Sequence, residues 1–265
     1  MLRKLFALLL VMSGLTTLPC TAADITLRLA AGTTGNHRYY HALLTEALKA
    51  AGHKVTVEVY ENLPQTRILA YLDIDRLTAH WMLQTPERDT LYTRVDFPLT
   101  QGLIGQRVLF VPKGTEGIYA NVKDLAQFRE LGKTAGLGKG WFDVSIWEAN
   151  KLSYVEQAGE WRQLFSMLAA QNRGVDYFPR GASEIGAEAL LHPELAIEPN
   201  LLLVYQRDFV FYLSRGNAHL KPVMEAALRQ AEKSGLQKRL MEEHFGSALQ
   251  QLNLDKRVRL KLLTP

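Results

Sequence analysis

The sequence predicts an α/β protein of two three-layer lobes that are joined by two crossing strands. Segments with an apolar residue at every second position alternate with segments in which apolar residues recur at helical spacing, as at 25–31 and 37–51. Such alternation indicates parallel sheets covered by helices. The pattern starts again after a strand at 105–111, and another apolar strand at 206–213 leads back. Two lobes connected in this way can close over a cleft.

The first lobe is predicted from its alternating and helical patterns. Ile25, Leu27 and Leu29 share one face of the first strand, and a turn at 32–36 can cap the helix that follows. The next predicted elements are a strand at 54–61, a helix at 66–72 and a strand at 77–82. We assign residues 24–106 and 206–265 to this lobe.

The second lobe, residues 107–205, is predicted from the same two patterns. Its helices are predicted at 123–131, 142–149, 161–170 and 183–191, and its strands at 105–111, 152–155, 174–178 and 201–205. A glycine-rich segment at 136–140 is predicted to be a turn. The chain then ends in helices at 219–233 and 236–244 and a shorter turn at 247–251.

The first 23 residues are predicted to be a cleaved signal peptide. Arg3 and Lys4 supply the positive charge, residues 5–18 are mostly apolar, and small residues lead up to a cleavage site near Ala23. The apolar run is shorter than the roughly 20 residues that a membrane-spanning helix needs. We therefore expect an exported protein, and specifically a periplasmic one.

Cys20 is the only cysteine and lies within this segment. Pro19 stands where a lipoprotein signal normally has a small residue, which argues against a lipid anchor. The mature chain is expected to have no disulfide, thiol nucleophile or thiolate metal site. Loss of Arg3 and Lys4 lowers the formal net charge from +4 to about +2, so we expect no nucleic-acid partner.

Three stretches of the chain, taken in order, resemble a known family. They are residues 88–102 (RDTLYTRVDFPLTQG), residues 174–180 (GVDYFPR), and the end of the chain with the strand at 209–213, the turn at 215–217 and the segment at 244–246. Their order is similar to that of the family 3 solute-binding proteins, which serve polar amino-acid ABC transporters. The resemblance implies the two-lobed type II periplasmic binding protein fold, a monomer without a cofactor, a small-molecule solute and a membrane ABC permease or sensor as partner.

Within that family the chain resembles a poorly characterised branch that has a tryptophan before the arginine loop and the motif DYFPRG in the second lobe. Trp81 and residues 176–181, with Tyr177 among them, are those features here. Amino-acid receptors usually have an aspartate just after this strand, whereas this chain has Arg180 and Gly181. The departure puts an α-amino acid ligand in doubt, and a small polar, anionic and amino-acid-like solute is expected instead.

Two arginines are the principal candidates for ligand binding. Arg88 follows a strand's carboxyl end, where open α/β sheets bind ligands, and a guanidinium there can hold a carboxylate by two hydrogen bonds. The alternative is an ion pair with Glu87 or Asp89. Arg180 could hold a second negative charge, or it could pair with Glu184 across the first helical turn.

Further candidates line the predicted cleft with less specific signals. Trp141 could stack on a ligand or belong to the core, and the same holds for Trp81. Thr34 and Asn36 could donate to a ligand at the start of the first helix or act only as helix caps. The glycine-rich segment at 136–140 is not followed by a phosphate-binding motif, so nucleotide binding is not expected.

Catalysis is not predicted, because the chain has no G-x-S-x-G or H-E-x-x-H motif and no mature cysteine. His37 and His41 are one helical turn apart, but packing is favoured over a metal site. Two alternatives to a solute-binding protein stay open. One is an exported lyase similar to cyclohexadienyl dehydratase, with Glu184 as its acid or base, and the other is a sensory or interaction module without a transport role.

Overall fold

The computed structural model describes residues 23–32, 35 and 37–265, so the predicted signal peptide lies outside the described residues except for Ala23. The strands are β1 (Asp24–Ala30), β2 (Lys54–Tyr60), β3 (Ala79–Leu83), β4 (Thr93–Arg94), β5 (Gln106–Pro112), β6 (Ala135–Gly138), β7 (Tyr154–Gln157), β8 (Phe178–Gly181), β9 (Leu195–Ile197), β10 (Leu201–Val204), β11 (Phe209–Leu213) and β12 (Val258–Lys261). The helices are α1 (His37–Ala50), α2 (Gln65–Asp73), α3 (Pro86–Leu91), α4 (Leu125–Glu130), α5 (Phe142–Ala149), α6 (Gln163–Ala170), α7 (Ala182–Leu191), α8 (Lys221–Lys233) and α9 (Leu236–Leu252). Within this part of the chain no helix is both long and apolar enough to cross a membrane.

The first lobe has a sheet between two layers of helix. Strand β1 pairs in parallel with β2, so that Leu27 lies opposite Val57, and β11 runs antiparallel between β3 and β4. The Thr78 backbone N–H donates to the Arg28 carbonyl at 2.8 Å and joins the two groups of strands. Helices α1, α8 and α9 bury their apolar faces on one side, and α2 covers the other. The predicted three-layer lobe is confirmed here.

The second lobe is also layered. Strands run in the order β12-β10-β5-β8, with β9 paired to β5, while β6 and β7 form a parallel pair beside them. One core contains Trp147, whose indole N–H donates to the Tyr177 hydroxyl at 3.0 Å. The other core packs Phe165 of α6 and Ile185 of α7 against Phe178 of β8. Helices therefore cover both faces of this lobe as well.

The two lobes are joined where two chain segments pass each other with backbones in contact. The Tyr205 backbone N–H donates to the Gly105 carbonyl at 3.0 Å. A Cβ atom on Gly105 would collide with the backbone oxygens of Tyr205 and Arg207, so only glycine permits this approach. Next to it, the Asp208 carboxylate accepts hydrogen bonds from the backbone of Thr100 (3.0 Å) and of Gly102 (2.6 Å). These contacts fix the connection from both sides.

The chain passes between the lobes a third time near its end. Helix α9 packs in the first lobe through Leu240, and after a left-handed turn at Asn253 (φ 49°) the chain enters β12. Strand β12 pairs in parallel with β10, which places Leu260 opposite Leu203. We therefore propose a division in which residues 254–265 belong to the second lobe rather than to the first.

The glycine-rich segment is not a turn, and that prediction was wrong. Residues Ala135–Gly138 form β6. A Cβ on Gly136 would lie 2.6 Å from Leu164, and one on Gly138 would collide with the Trp141 ring. These glycines allow close packing within the sheet, and only Gly140, with φ 73°, serves a turn. The strand predicted at 174–178 is likewise displaced, to Phe178–Gly181.

Candidate functional site

A cavity of about 240 Å³ lies between the two lobes. This volume is slightly below the roughly 300–1,000 Å³ of sites for drug-sized ligands, which suits a smaller molecule. The side chains that matter below are Leu63, Ile68, Leu69, His80, Met82 and Arg88 from the first lobe and Arg107, Trp141, Asp143, Trp161, Arg180, Glu184 and Glu188 from the second. Parts of its wall follow the carboxyl ends of β1 and β3, the position at which open α/β sheets bind ligands.

Arg88 is held at the cavity by the start of α3. Thr85 caps this helix, accepting a hydrogen bond from the Arg88 backbone N–H at 3.2 Å, and Pro86 occupies its first position. The guanidinium donates through Nη1 to the Leu83 carbonyl at 2.6 Å. Within the described part of the chain it makes no ion pair, and burial lowers its pKa. Arg88 is therefore a partly desolvated cation that no described carboxylate pairs with.

Arg180 is neutralised by its own lobe. It forms two parallel hydrogen bonds with the Glu188 carboxylate, at 2.8 and 2.7 Å, and an ion pair with Glu184 at 3.1 Å. Its guanidinium also lies over the Trp161 ring, 4.7 Å from the centroid. Burial alone would lower its pKa, but the attraction of Glu184 and Glu188 outweighs burial and raises it. The predicted pairing with Glu184 is present, and Glu188 is a stronger partner that the sequence analysis missed.

Arg107 forms a second buried ion pair that the sequence analysis also missed. It makes two hydrogen bonds to the Asp143 carboxylate, at 2.9 and 2.7 Å, and lies 3.5 Å from Glu184. The Tyr205 hydroxyl donates to Asp143 at 3.1 Å. The available signal was a single charged residue in an otherwise apolar strand, because a buried arginine must have a partner.

The second-lobe wall carries equal numbers of carboxylate and guanidinium groups, because Arg162 lines the cavity together with Arg107 and Arg180. Asp143, Glu184 and Glu188 face the two guanidinium groups of Arg107 and Arg180. Glu184 uses Oε2 for its contacts, including the Gly181 backbone N–H at 3.2 Å, and Oε1 makes no hydrogen bond within the described residues. Burial raises the pKa of the Glu184 carboxyl, and the nearby Glu188 charge adds to the effect. A cation placed beside Glu184 would give its Oε1 atom a charged partner.

Aromatic side chains occupy both walls. Trp81 lines the cavity and also stacks on Tyr40, with the ring centroids 4.6 Å apart and the planes at 12°. Trp141 lines the cavity and stacks on Phe178, with the ring centroids 6.0 Å apart. For both tryptophans the core and the cavity roles therefore coexist. Tyr177 is fully buried in the second-lobe core and does not line the cavity.

Three histidines lie near one another on the first-lobe wall: His41 and His80 contact the Trp81 ring, and His37 contacts His41. His37 and His80 line the cavity, and each has a buried Nδ1 without a hydrogen-bond partner among the described residues. His41 Nε2 lies 3.0 Å from the Ala30 carbonyl oxygen. Burial lowers the pKa of His80 to about 3 and of His41 to about 4. These imidazoles are uncharged at neutral pH.

Two predicted ligand residues, Thr34 and Asn36, lie outside the described residues. Among the residues that are described, no three His, Cys, Asp or Glu side chains are grouped so as to hold a metal ion. The structure thus brings together Arg88, Arg180, Glu184, Trp81 and Trp141 of the predicted set.

Solved structures of two-lobed binding proteins share this fold. An ancestral arginine-binding protein bound to glutamine is 18% identical, with a TM-score of 0.60 over 83% of this chain and 98% of that one. The arginine-specific periplasmic binding protein of Salmonella typhimurium is 17% identical, with a TM-score of 0.57 over 83% and 99%. A structure from work on glutathione import and the cystine ABC importer of Streptococcus mutans is 16% identical, with a TM-score of 0.61 over 84% and 95%.

No family model matches the chain, and the search of curated proteins found no match either. The structural matches alone establish the class: the chain has the two-lobed fold of periplasmic binding proteins, and the predicted fold class is confirmed. Identities of 16–18% show a shared fold.

Proposed function

We propose that the chain is a substrate-binding protein that encloses a small amino-acid-like solute between its lobes. The observation that carries the proposal is Arg88, a cavity-lining guanidinium with no ion pair among the described residues. Because a buried charge without a partner is costly, a carboxylate that forms two hydrogen bonds with Arg88 would be bound strongly.

The opposite wall supports a positive group at the other end of the solute. Glu184 has one carboxylate oxygen beside the cavity that makes no hydrogen bond within the described residues. An ammonium group there would give this oxygen a charged hydrogen-bond donor. A ligand that touches Arg88 of one lobe and Glu184 of the other would favour the closed state, because its full affinity exists only when both lobes contribute.

The charges do not favour the anionic solute expected from the sequence. Arg180 was the candidate for a second negative charge, but Glu188 and Glu184 already pair with it. A single carboxylate with an ammonium group fits the cavity better than a dicarboxylate does.

Delivery to a membrane ABC permease, or to a sensor, is proposed from the same class of protein. The matched structures include an arginine-bound amino acid ABC transporter protein of Streptococcus pneumoniae. The export signal predicted at residues 1–23 supports a periplasmic location, and a monomer would suffice for delivery.

Thermal unfolding of the purified protein with a panel of L-amino acids tests this function. At a ligand concentration of 100 times Kd, stability should rise by about 2.7 kcal/mol, and the Tm by about 5–10 °C. Arg88→Ala should weaken binding by about 100-fold, whereas Arg173→Gln, which changes an exposed arginine of the second lobe, should not.

Two results would overturn the proposal. Conversion of the added compound to product would favour the lyase alternative. The absence of any shift, with these and other small metabolites, would favour an interaction module that has lost its ligand.

A further inference from the structure

The first-lobe wall contains an apolar compartment between α2 and β3. Leu63, Ile68 and Leu69 approach the cavity from the α2 side, and Met82 and Ala30 from the strands. Leu63 and Leu69 are only partly buried, and they pack on the cluster that contains the other three. Apolar side chains that face a cavity gain from contact with another apolar group, because water is released from both.

The compartment contains no charged group. Of the described first-lobe residues that line the cavity, Arg88 alone carries a full charge at neutral pH, since burial lowers the pKa of His80 to about 3 and also that of His37 below its usual value. A charged or strongly polar side chain of a ligand would lose hydration here without gaining a partner.

The second lobe offers no equivalent place. Its lining includes six charged side chains, namely Arg107, Asp143, Arg162, Arg180, Glu184 and Glu188. It also includes Phe142, whose ring lies under the Arg207 guanidinium at 4.9 Å from the centroid, and the rings of Trp141 and Trp161. The Arg180 guanidinium already covers both rings, at 5.1 and 4.7 Å from their centroids. The first-lobe side therefore offers more apolar side chains than this wall, and an apolar group of the ligand fits better there.

We propose that the solute carries an apolar side chain, aliphatic or aromatic, which lies against Leu63, Leu69 and Met82 while its charged end lies between Arg88 and Glu184. This inference rests on the proposed function and narrows it to apolar amino acids or close analogues. It separates the chain from the arginine- and glutamine-bound neighbours, whose ligands have polar side chains.

A ligand comparison on the unmodified protein tests the inference. At equal concentrations, leucine, methionine or phenylalanine should raise the Tm by several degrees more than aspartate, glutamate, lysine, arginine or glutamine. A larger shift with any of the polar five would overturn the apolar assignment and leave the proposed function standing. No shift with any amino acid would overturn the proposed function itself.

A variant comparison tests the compartment directly. Leu69→Asn should weaken binding of the best apolar ligand by about tenfold, the size expected for part of one buried side chain, and should leave alanine binding nearly unchanged. Leu190→Asn, which changes a leucine that is 84% exposed on α7, is the matched control. Equal weakening of both ligands by Leu69→Asn would contradict the inference.

Discussion

The two walls of the cavity differ in how their charges are balanced. On the first-lobe wall a single guanidinium, Arg88, has no ion-paired carboxylate among the described residues, and the other described side chains that line this wall are uncharged at neutral pH. On the second-lobe wall Arg107 and Arg180 each make two hydrogen bonds to one carboxylate. The difference separates two uses of a buried arginine. We propose that the paired arginines stabilise the fold, whereas Arg88 binds the ligand.

This difference explains why position along the sequence was a poor guide to function. Arg88 and Arg180 were both predicted to follow a strand, and both line the cavity, although Arg180 lies within β8. Only the tertiary structure shows that Glu188, two helical turns into α7, neutralises Arg180. A charged side chain that already has an ion-pair partner within the protein helps to shape the site but adds little to the affinity for a ligand.

Breaking a buried ion pair on the second-lobe wall should have the largest effect on the free energy of unfolding. Asp143→Asn leaves Arg107 buried without its main partner, and we expect a loss of about 3–5 kcal/mol and a Tm lower by about 10 °C. Differential scanning calorimetry of the ligand-free protein measures this.

The matched control for that prediction is Asp255→Asn. It removes an exposed ion pair to Arg259 at 3.7 Å, and it should change stability by less than about 1 kcal/mol. Equal effects of the two variants would show that the second-lobe pair is not structural.

Glu184→Gln should have a smaller effect, on ligand affinity. It removes the charge proposed to face an ammonium group, and we expect about 30-fold weaker binding. Because burial raises the pKa of this carboxyl, the unmodified protein should also bind more weakly as the pH falls through that raised pKa, where Glu184 takes up a proton. Isothermal titration calorimetry from pH 7.5 to 5 measures both effects.

Glu243→Gln, on the exposed side of α9, controls for the loss of a carboxylate. An unchanged pH dependence in Glu184→Gln would rule out Glu184 as the titrating group.

The smallest predicted effect concerns the neutral histidines of the first-lobe wall. The pKa of His80 is about 3 against 6.5 for an ordinary histidine, so the unfolded chain takes up a proton first as the pH falls. The stabilisation that the neutral His80 side chain contributes to the folded protein is present above pH 6.5. It should decrease by about 1 kcal/mol between pH 7 and 5.5. His80→Asn should reduce the fall in Tm over this range by about 2–4 °C. His219→Asn, at an exposed position, is the control, and an equal effect there would contradict the assignment.

The order of strands and helices could be predicted from the sequence because apolar residues recur at every second position in a strand and at every third or fourth position in a helix. The main errors have a physical cause in long-range contacts. Gly136 and Gly138 were assigned to a turn because glycine is common in turns. Their actual role is to leave space for the side chains of Leu164 and Trp141, and these contacts are not visible in the sequence. Strand β12 was missed because its four residues form a strand only when paired with β10.

The site was predictable only in part. Arg88 was identified from its place after a strand, and its role as ligand anchor stays a prediction. The apolar compartment could not be recognised, because Leu63, Leu69 and Met82 have no distinguishing pattern and meet only in the folded lobe. The carboxylate partners of Arg107 and Arg180 likewise become apparent only when the fold places Asp143 and Glu188 beside them.

A crystal structure with the most strongly stabilising amino acid bound would test the central claim most directly. The account predicts a carboxylate within hydrogen-bond distance of the Arg88 guanidinium, an ammonium group beside Glu184, and a side chain against Leu69 and Met82. A ligand whose carboxylate lies on Arg180 or Arg107 instead, with Arg88 making no contact to it, would contradict the account.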